Sequence, residues 1–257
     1  NDVFVAALAA DLGAIMHAAR LGGASTEKDI SMVVDGGGSV YLTGYTISGD
    51  YPTTGGPSRA GTTDGFVTKL TANLQTVLAS RLIGGSETDL PQGVAVQGTT
   101  VYVAGFTNST DLGLGQSAFG THWGNSGGMD GYVWALDTAL AGIVGGTYLP
   151  GTGDADHMMG VAAGQVGGSP VVYVVGYSSS SDFLGGANTT NGSSDGVLVR
   201  LNGELSAVES WSHIGGSGWD DLFDLALGTG GEVFATGSSR SGDFPMPVGV
   251  SPYDPIY

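Results

Sequence analysis

The sequence predicts an all-β protein made of four copies of one four-stranded unit, and three observations carry that expectation. The first is a strand that recurs four times. It reads Val40-Tyr41-Leu42-Thr43-Gly44-Tyr45-Thr46, then Val101 to Thr107, Val172 to Ser178 and Val233 to Ser239. Each copy reads as half-buried and breaks at its glycine. The second is an acid-led strand at Asp2-Val3-Phe4-Val5, Asp64-Gly65-Phe66-Val67, Asp130-Gly131-Tyr132-Val133 and Asp195-Gly196-Val197-Leu198, at spacings of 62, 66 and 65 residues. The third is glycine usage: 48 glycines, many in doublets between apolar runs and without a Gly-X-Y period. Such doublets are turns in a chain of many strands, not collagen. A fixed self-similarity at this scale marks a repeat architecture.

The first full unit shows each element. After Asp64-Gly65, residues Phe66, Thr68 and Leu70 point one way while Val67 and Lys69 point the other, the period of two that defines a strand. Val77 to Ile83 reads as a second strand and stops at Gly84-Gly85, a pair suited to positive φ. Gly93-Val94-Ala95-Val96 is a short apolar strand, and Gly98-Thr99-Thr100 turns it into Val101 to Thr107. The other units repeat these pieces. Their glycine turns are Gly22-Gly23, Gly151-Thr152 and Gly215-Gly216, and their short strands are Met32 to Val34, Val161 to Ala163 and Leu225 to Leu227. Residues 1–17 are Ala-rich and suit a helix in isolation, but they align with the Phe66 strand and are read as strand.

Four strands per unit at even spacing is the plan of a β-propeller. Ala95, Ala162 and Ala226 in the short strand fit the crowded axis where blades converge. The repeat phase leaves half a unit at each end. If the halves pair, a 2+2 composite blade closes a ring of four and removes the exposed edges. A segment of a wider ring is the alternative, and a β-solenoid is a distant third. The chain is read as one domain, 1–257, with units at 2–63, 64–129, 130–194 and 195–257.

Composition narrows the function. The chain has 257 residues, seven Lys and Arg against 24 Asp and Glu, and a net charge of −17. No basic footprint for nucleic acid can form, and an anionic membrane surface is disfavoured. Acidic surfaces favour solubility and divalent cations. With no cysteine, disulfides and thiolate metal sites are excluded. No apolar run is long enough for a membrane-spanning helix. The first residue, Asn1, is read as the start of a mature chain that has lost a leader, or of a fragment.

Three acidic registers repeat: Asp2, Asp64, Asp130, Asp195; Glu27, Asp89, Asp156, Asp220; and Asp50, Asp111, Asp182, Asp243. A carboxylate at a turn accepts backbone N–H bonds, and that is the first expectation. Calcium at the blade loops is the other, because hard oxygen ligands suit it. The densest acidic spots are Asp154-Ala155-Asp156-His157 and Trp219-Asp220-Asp221. They read as solvated loop charges, or as a cation site or a carboxylate pair for glycoside chemistry. His17, His122, His157 and His213 lack zinc spacing. His122-Trp123 lies in the Gly-rich stretch 113–129, which has no equal in the other units. Unique loops on a regular scaffold are where binding concentrates; the plain alternative is a loop packing its own aromatic residues. Asn108, Asn188 and Asn191 begin N-glycosylation sequons in expected loops. No nucleophile elbow or phosphate loop is present.

The repeat resembles the SBBP family of secreted and surface β-propeller proteins of bacteria and archaea. The resemblance rests on Asp64 to Leu70, Leu21-Gly22-Gly23, Val33-Val34-Asp35, Val40 to Gly44, Asp50-Tyr51-Pro52 and Asp243-Phe244-Pro245. Asp111-Leu112-Gly113 and Asp182-Phe183-Leu184 lack the family's proline, and Leu149-Pro150-Gly151 replaces the glycine doublet. The family name implies seven blades, where this chain has four periods. The resemblance implies an extracellular scaffold without a dependable catalytic motif. The expected role is therefore a non-catalytic, secreted structural or adhesive module that packs with copies of itself into a filament or layer, with no cofactor unless calcium. The alternative is a binding module for a glycan or small ligand that uses residues 113–129. A propeller hydrolase or lyase using Asp154, Asp156, Asp220 and Asp221 comes third.

Overall fold

The computed structural model describes residues 1–114, 128–153, 155–186 and 193–246. Its architecture is the all-β propeller the repeats predict. Three four-stranded antiparallel blades are complete. The first is β3 (Glu27–Val34), β4 (Val40–Thr46), β5 (Asp64–Leu70) and β6 (Val77–Ile83). The second is β7 (Asp89–Gln97), β8 (Thr100–Thr107), β9 (Asp130–Asp137) and β10 (Ile143–Leu149). The third is β11 (Asp156–Val166), β12 (Ser169–Ser178), β13 (Asp195–Asn202) and β14 (Val208–Ile214). They are flanked by two hairpins, β1 (Val3–Leu8) with β2 (Ile15–Leu21), and β15 (Asp220–Leu227) with β16 (Val233–Ser239). The Ala-rich start is thus β1 and β2.

The recurring strand is the second in each blade, and it does not break at its glycine. It runs through Gly44, Gly105, Gly176 and Gly237 to a Thr or Ser. Each glycine lies opposite a β-bulge in the innermost strand, where the register shifts between Lys28 and Ser31, Pro91 and Gly93, Met158 and Gly160, and Leu222 and Asp224. The bulge swings the carbonyl of Lys28, Leu90, His157 or Asp221 into the space a Cβ would fill. Glycine is required there by close backbone approach. In the three complete blades the strand is also more buried than its half-polar pattern suggests, because both blade faces are covered by neighbours, whereas β16 is largely exposed.

The core is divided among the gaps between blades. Val3, Val5 and Leu21 pack on Val40, Leu42 and Phe66. Val67 and Ile83 pack with Tyr132 and Trp134, Val133 and Leu149 with Val197 and Val199, and Val171 and Val175 with Leu222 and Leu225. Backbone bonds tie the inner strand of each unit to the residue before the preceding third strand, as in Asp89 N–H to Thr63 O and Asp156 N–H to Met129 O, both 2.9 Å.

The expected composite blade is corrected in one respect. The two terminal hairpins are separate two-stranded sheets, with no ladder between β1 and β16. Each half is held by its own neighbour: β1–β2 by the first complete blade and β15–β16 by the third. Among the described residues their outer edges pair with no further strand.

Candidate functional site

Every unit contains one buried polar lock, and it consumes most of the repeated acids. The acid that opens each innermost strand is buried: Glu27, Asp89, Asp156 and Asp220. In the second blade, Thr107 Oγ1 donates to Asp89 Oδ1 at 2.5 Å, and Ser109 Oγ and Gly85 N–H donate to Oδ2 at 3.1 and 2.8 Å. In the third, Ser178 and Ser180 donate to Asp156 at 2.5 and 2.7 Å. Thr46 and Ser48 donate to Glu27, both at 2.6 Å, and Ser241 donates to Asp220 at 2.5 Å. Two residues beyond that serine comes the second acid. Asp111 accepts from Ser86 N–H at 2.8 Å, Asp182 from Thr152 N–H at 2.9 Å, and Asp243 from Ser217 N–H at 2.8 Å. The lock thus fastens the glycine turn of one blade to the end of the recurring strand of the next. Charge-assisted bonds of this kind are the strong ones.

The sequence pattern behind the lock is Thr or Ser, then Ser two residues on, then Asp two further, as in Thr107, Ser109 and Asp111. The acids were visible as repeats, but Ser48, Ser109, Ser180 and Ser241 were not singled out, and Ser178 to Ser181 read as plain loop. The missed signal was their fixed offset from the repeated glycine.

Burial sets the electrostatics. It pushes Asp156 up to about 7 and Asp89 up to about 6, against the pull of the donated hydroxyls. Asp220 goes the other way. Burial raises it, but the bonds from Ser239, Ser241 and Gly216 together outweigh that, and the net shift is downward. The same lock therefore has less protein packed around it on β15, although the Asp220 side chain is itself buried.

The acidic candidates do not converge. Asp156 and Asp220 occupy equivalent locks in separate sheets, each engaged by serine hydroxyls. Asp154 lies outside the described residues. Among the described residues no group of three His, Asp or Glu side chains converges for a metal. Asp64 accepts from Ala60 and Gly61 N–H at 2.8 and 2.9 Å, the turn role expected of it. His157 stacks on Phe106 at 3.8 Å between centroids and shares a 2.6 Å bond between Nδ1 and Tyr177 Oη. Burial lowers its pKa to about 4, so it is neutral at pH 7. Burial also lowers His213, against the upward pull of Asp195. His17 is on β2. Of the unique stretch 113–129, residues 115–127, including His122 and Trp123, lie outside the described residues; its root is anchored by buried Leu112 and Leu114. Asn108 is half-buried, while Asn188 and Asn191 lie outside the described residues.

The innermost strands β3, β7, β11 and β15 share one axial cavity of 390 Å³, with Met32, Gln92, Met159 and Asp224 among its walls. Its lining is mostly polar, with Ser31, Gln92 and Asp224 beside the glycines Gly93 and Gly160. The more distinctive surface lies at the two ends. Phe4 is 79% exposed and Leu12 75%, while Leu8, Ile15 and Met16 are also exposed. At the other end Phe223 and Phe234 are exposed. Leaving one phenylalanine in water forgoes roughly 1.5–3 kcal/mol relative to full burial. Five exposed apolar side chains on one short hairpin are more than isolated surface residues, and exposed apolar surface of that kind marks interaction sites.

Comparison with family models finds no match, and no curated protein matches the chain. Among solved structures the chain is similar to the crystal structure of BamB from Moraxella catarrhalis, at 15% identity over 91% of this chain and 73% of that one, with a TM-score of 0.27. The architecture described above stands on the strand pairing itself.

Proposed function

We propose that this chain is a non-catalytic structural or adhesive module that works outside the cell and assembles with further copies of itself. The observation that carries this reading is exposed apolar surface on two hairpins: Phe4, Leu8 and Leu12 on β1–β2, and Phe223 and Phe234 on β15–β16. The locks support it too, since the repeated carboxylates are occupied in fastening blades and are poorly placed for acid–base chemistry or substrate. The extracellular setting rests on the resemblance of the repeat to secreted propeller repeats.

Negative-stain electron microscopy of the undiluted protein tests the reading. Ordered filaments or sheets are expected. Isolated particles at all concentrations overturn it, and attention then moves to ligand binding at residues 113–129.

A further inference from the structure

We propose that the axial cavity is a binding site for a small organic cation, a primary amine on a short apolar body, held by Asp224 and Gln92. This goes beyond the self-assembly reading and stands or falls separately from it.

The bulges of the innermost strands build the site. Each leaves one residue out of the ladder: Gln92 between Pro91 and Gly93, Met159 between Met158 and Gly160, and Phe223 between Leu222 and Asp224. Ile30 holds the matching place in the wider bulge of β3, between Lys28 and Ser31. All four line the same cavity of 390 Å³. A bulge re-aims a side chain, and here four of them are re-aimed at one space from four units. The volume falls within the range of small-molecule sites.

The repeat is uniform around these positions and varied at them. The acid of the lock precedes each bulge, as in Asp89 and Asp156, and the glycine of the recurring strand lies opposite. The bulged residue itself is Ile, Gln, Met or Phe. The residue that follows it is Ser31, Gly93, Gly160 or Asp224. Gly93 and Gly160 fit by close packing: a Cβ on the first would lie 3.0 Å from Val161 N, and on the second 3.1 Å from Phe223 O. Packing alone accounts for the glycines. It does not account for a carboxylate in the same series, and Asp224 makes none of the bonds of the locks.

The lining selects the ligand. Asp224 is its one acid, and among the described residues none of its lining side chains is basic. Gln92 and Ser31 add acceptor oxygens. Ile30, Met32, Met159 and Phe223 offer aliphatic, thioether and aromatic surface to the body of the ligand. An aromatic face also attracts a cation. The net charge of −17 draws cations towards the molecule and repels anions.

The test is calorimetric titration with 2-phenylethylamine at neutral pH and low salt, at a concentration where the chain is monomeric. Saturable binding is expected, with NMR shifts at the Gln92 side-chain amide and at the Gly93 and Gly160 N–H groups. Phenylacetate, its anionic counterpart, is expected not to bind. Asp224→Asn keeps an oxygen for the Leu225 N–H that Asp224 Oδ1 holds at 2.8 Å. It is expected to leave the melting temperature unchanged and weaken amine binding by about tenfold or more, the scale of one lost charge-assisted contact. Asp11→Asn removes the same charge at an exposed turn outside the cavity and is expected to bind as the wild type does. Gln92→Glu adds a second carboxylate and is expected to tighten binding, a gain that a misfolded chain does not give. Absence of saturable binding to the wild type overturns the proposal, as do shifts confined to other residues. Equal weakening in Asp224→Asn and Asp11→Asn overturns it as well, because the overall charge and not the cavity then attracts the amine. So does unchanged affinity in both Asp224→Asn and Gln92→Glu.

Discussion

The third complete blade and the terminal hairpins are written in the same repeat, yet they sit in different environments. Leu205 and Leu12 occupy the same turn at nearly the same positive φ, 57° and 59°; one is fully buried and the other 75% exposed. Asp156 and Asp220 open equivalent strands and accept from equivalent serines, but burial raises one carboxyl and leaves the other net lowered. The difference teaches that a blade is not a self-sufficient unit. Its side chains acquire their energetic weight from the blades on either side, as nearest-neighbour coupling in a repeat protein requires.

The largest expected effect comes from the glycine opposite the bulge. Gly176→Val drives a side chain into the carbonyl of His157 in a strand paired on both edges. Loss of more than about 4 kcal/mol, measured by urea unfolding, is expected. Gly237→Val meets the carbonyl of Asp221, but among the described residues β16 is paired on one edge only and can shift, so the loss is smaller. Equal losses would break the comparison.

Next comes the turn leucine. Leu205→Ala empties a packed site and is expected to cost about 2–5 kcal/mol. Leu12→Ala, at a concentration where the chain is monomeric, is expected to stay within about 0.5 kcal/mol.

The smallest effect is the pH dependence. Asp156 at about 7 and Asp89 at about 6 lie above their unfolded value of 3.8. The folded state therefore holds more protons than the unfolded one between those limits, and stability falls as pH rises through that window. The melting temperature is expected to drop by a few degrees from pH 5 to pH 8, at about 2–4 °C per kcal/mol, and Asp156→Asn flattens the slope. Asp220 has the opposite sign. Its folded pKa is depressed, so its contribution is present above 3.8 and lost on acidification below it. Asp220→Asn is thus expected to lower the melting temperature at pH 7 and not in strong acid. Matching pH profiles for the two variants would mean that the terminal lock is as closely packed around as the internal one.

Much of this was legible in the residues. Period-two alternation in Phe66 to Leu70, and the glycine doublets after Ile83 and Ile214, are local signals, and they placed β5, β6 and β14. Alignment to the Phe66 strand correctly made residues 3–8 a strand despite their alanines. The polar lock was only half legible. Its acids stood out as repeats, but Ser109 and Ser180 looked like loop, because their partners lie across a blade junction and not beside them in the chain. The recurring glycine was misread as a break because a bulge on the neighbouring strand, invisible in the strand's own sequence, is what demands it.

By itself the sequence determined the strands, their order, the four-fold repeat and the phase that leaves half a unit at each end. These follow from the two-residue period of a strand and the backbone freedom of glycine, both of which act over a few residues. Only the tertiary structure decided that the halves do not join, that the acids face serines and backbone amides, and that Phe4 is exposed while Phe66 is buried. Those outcomes depend on which faces meet across a blade junction and on the blades packed between the two ends. Identical side chains in identical local conformations are set apart there by what lies against them.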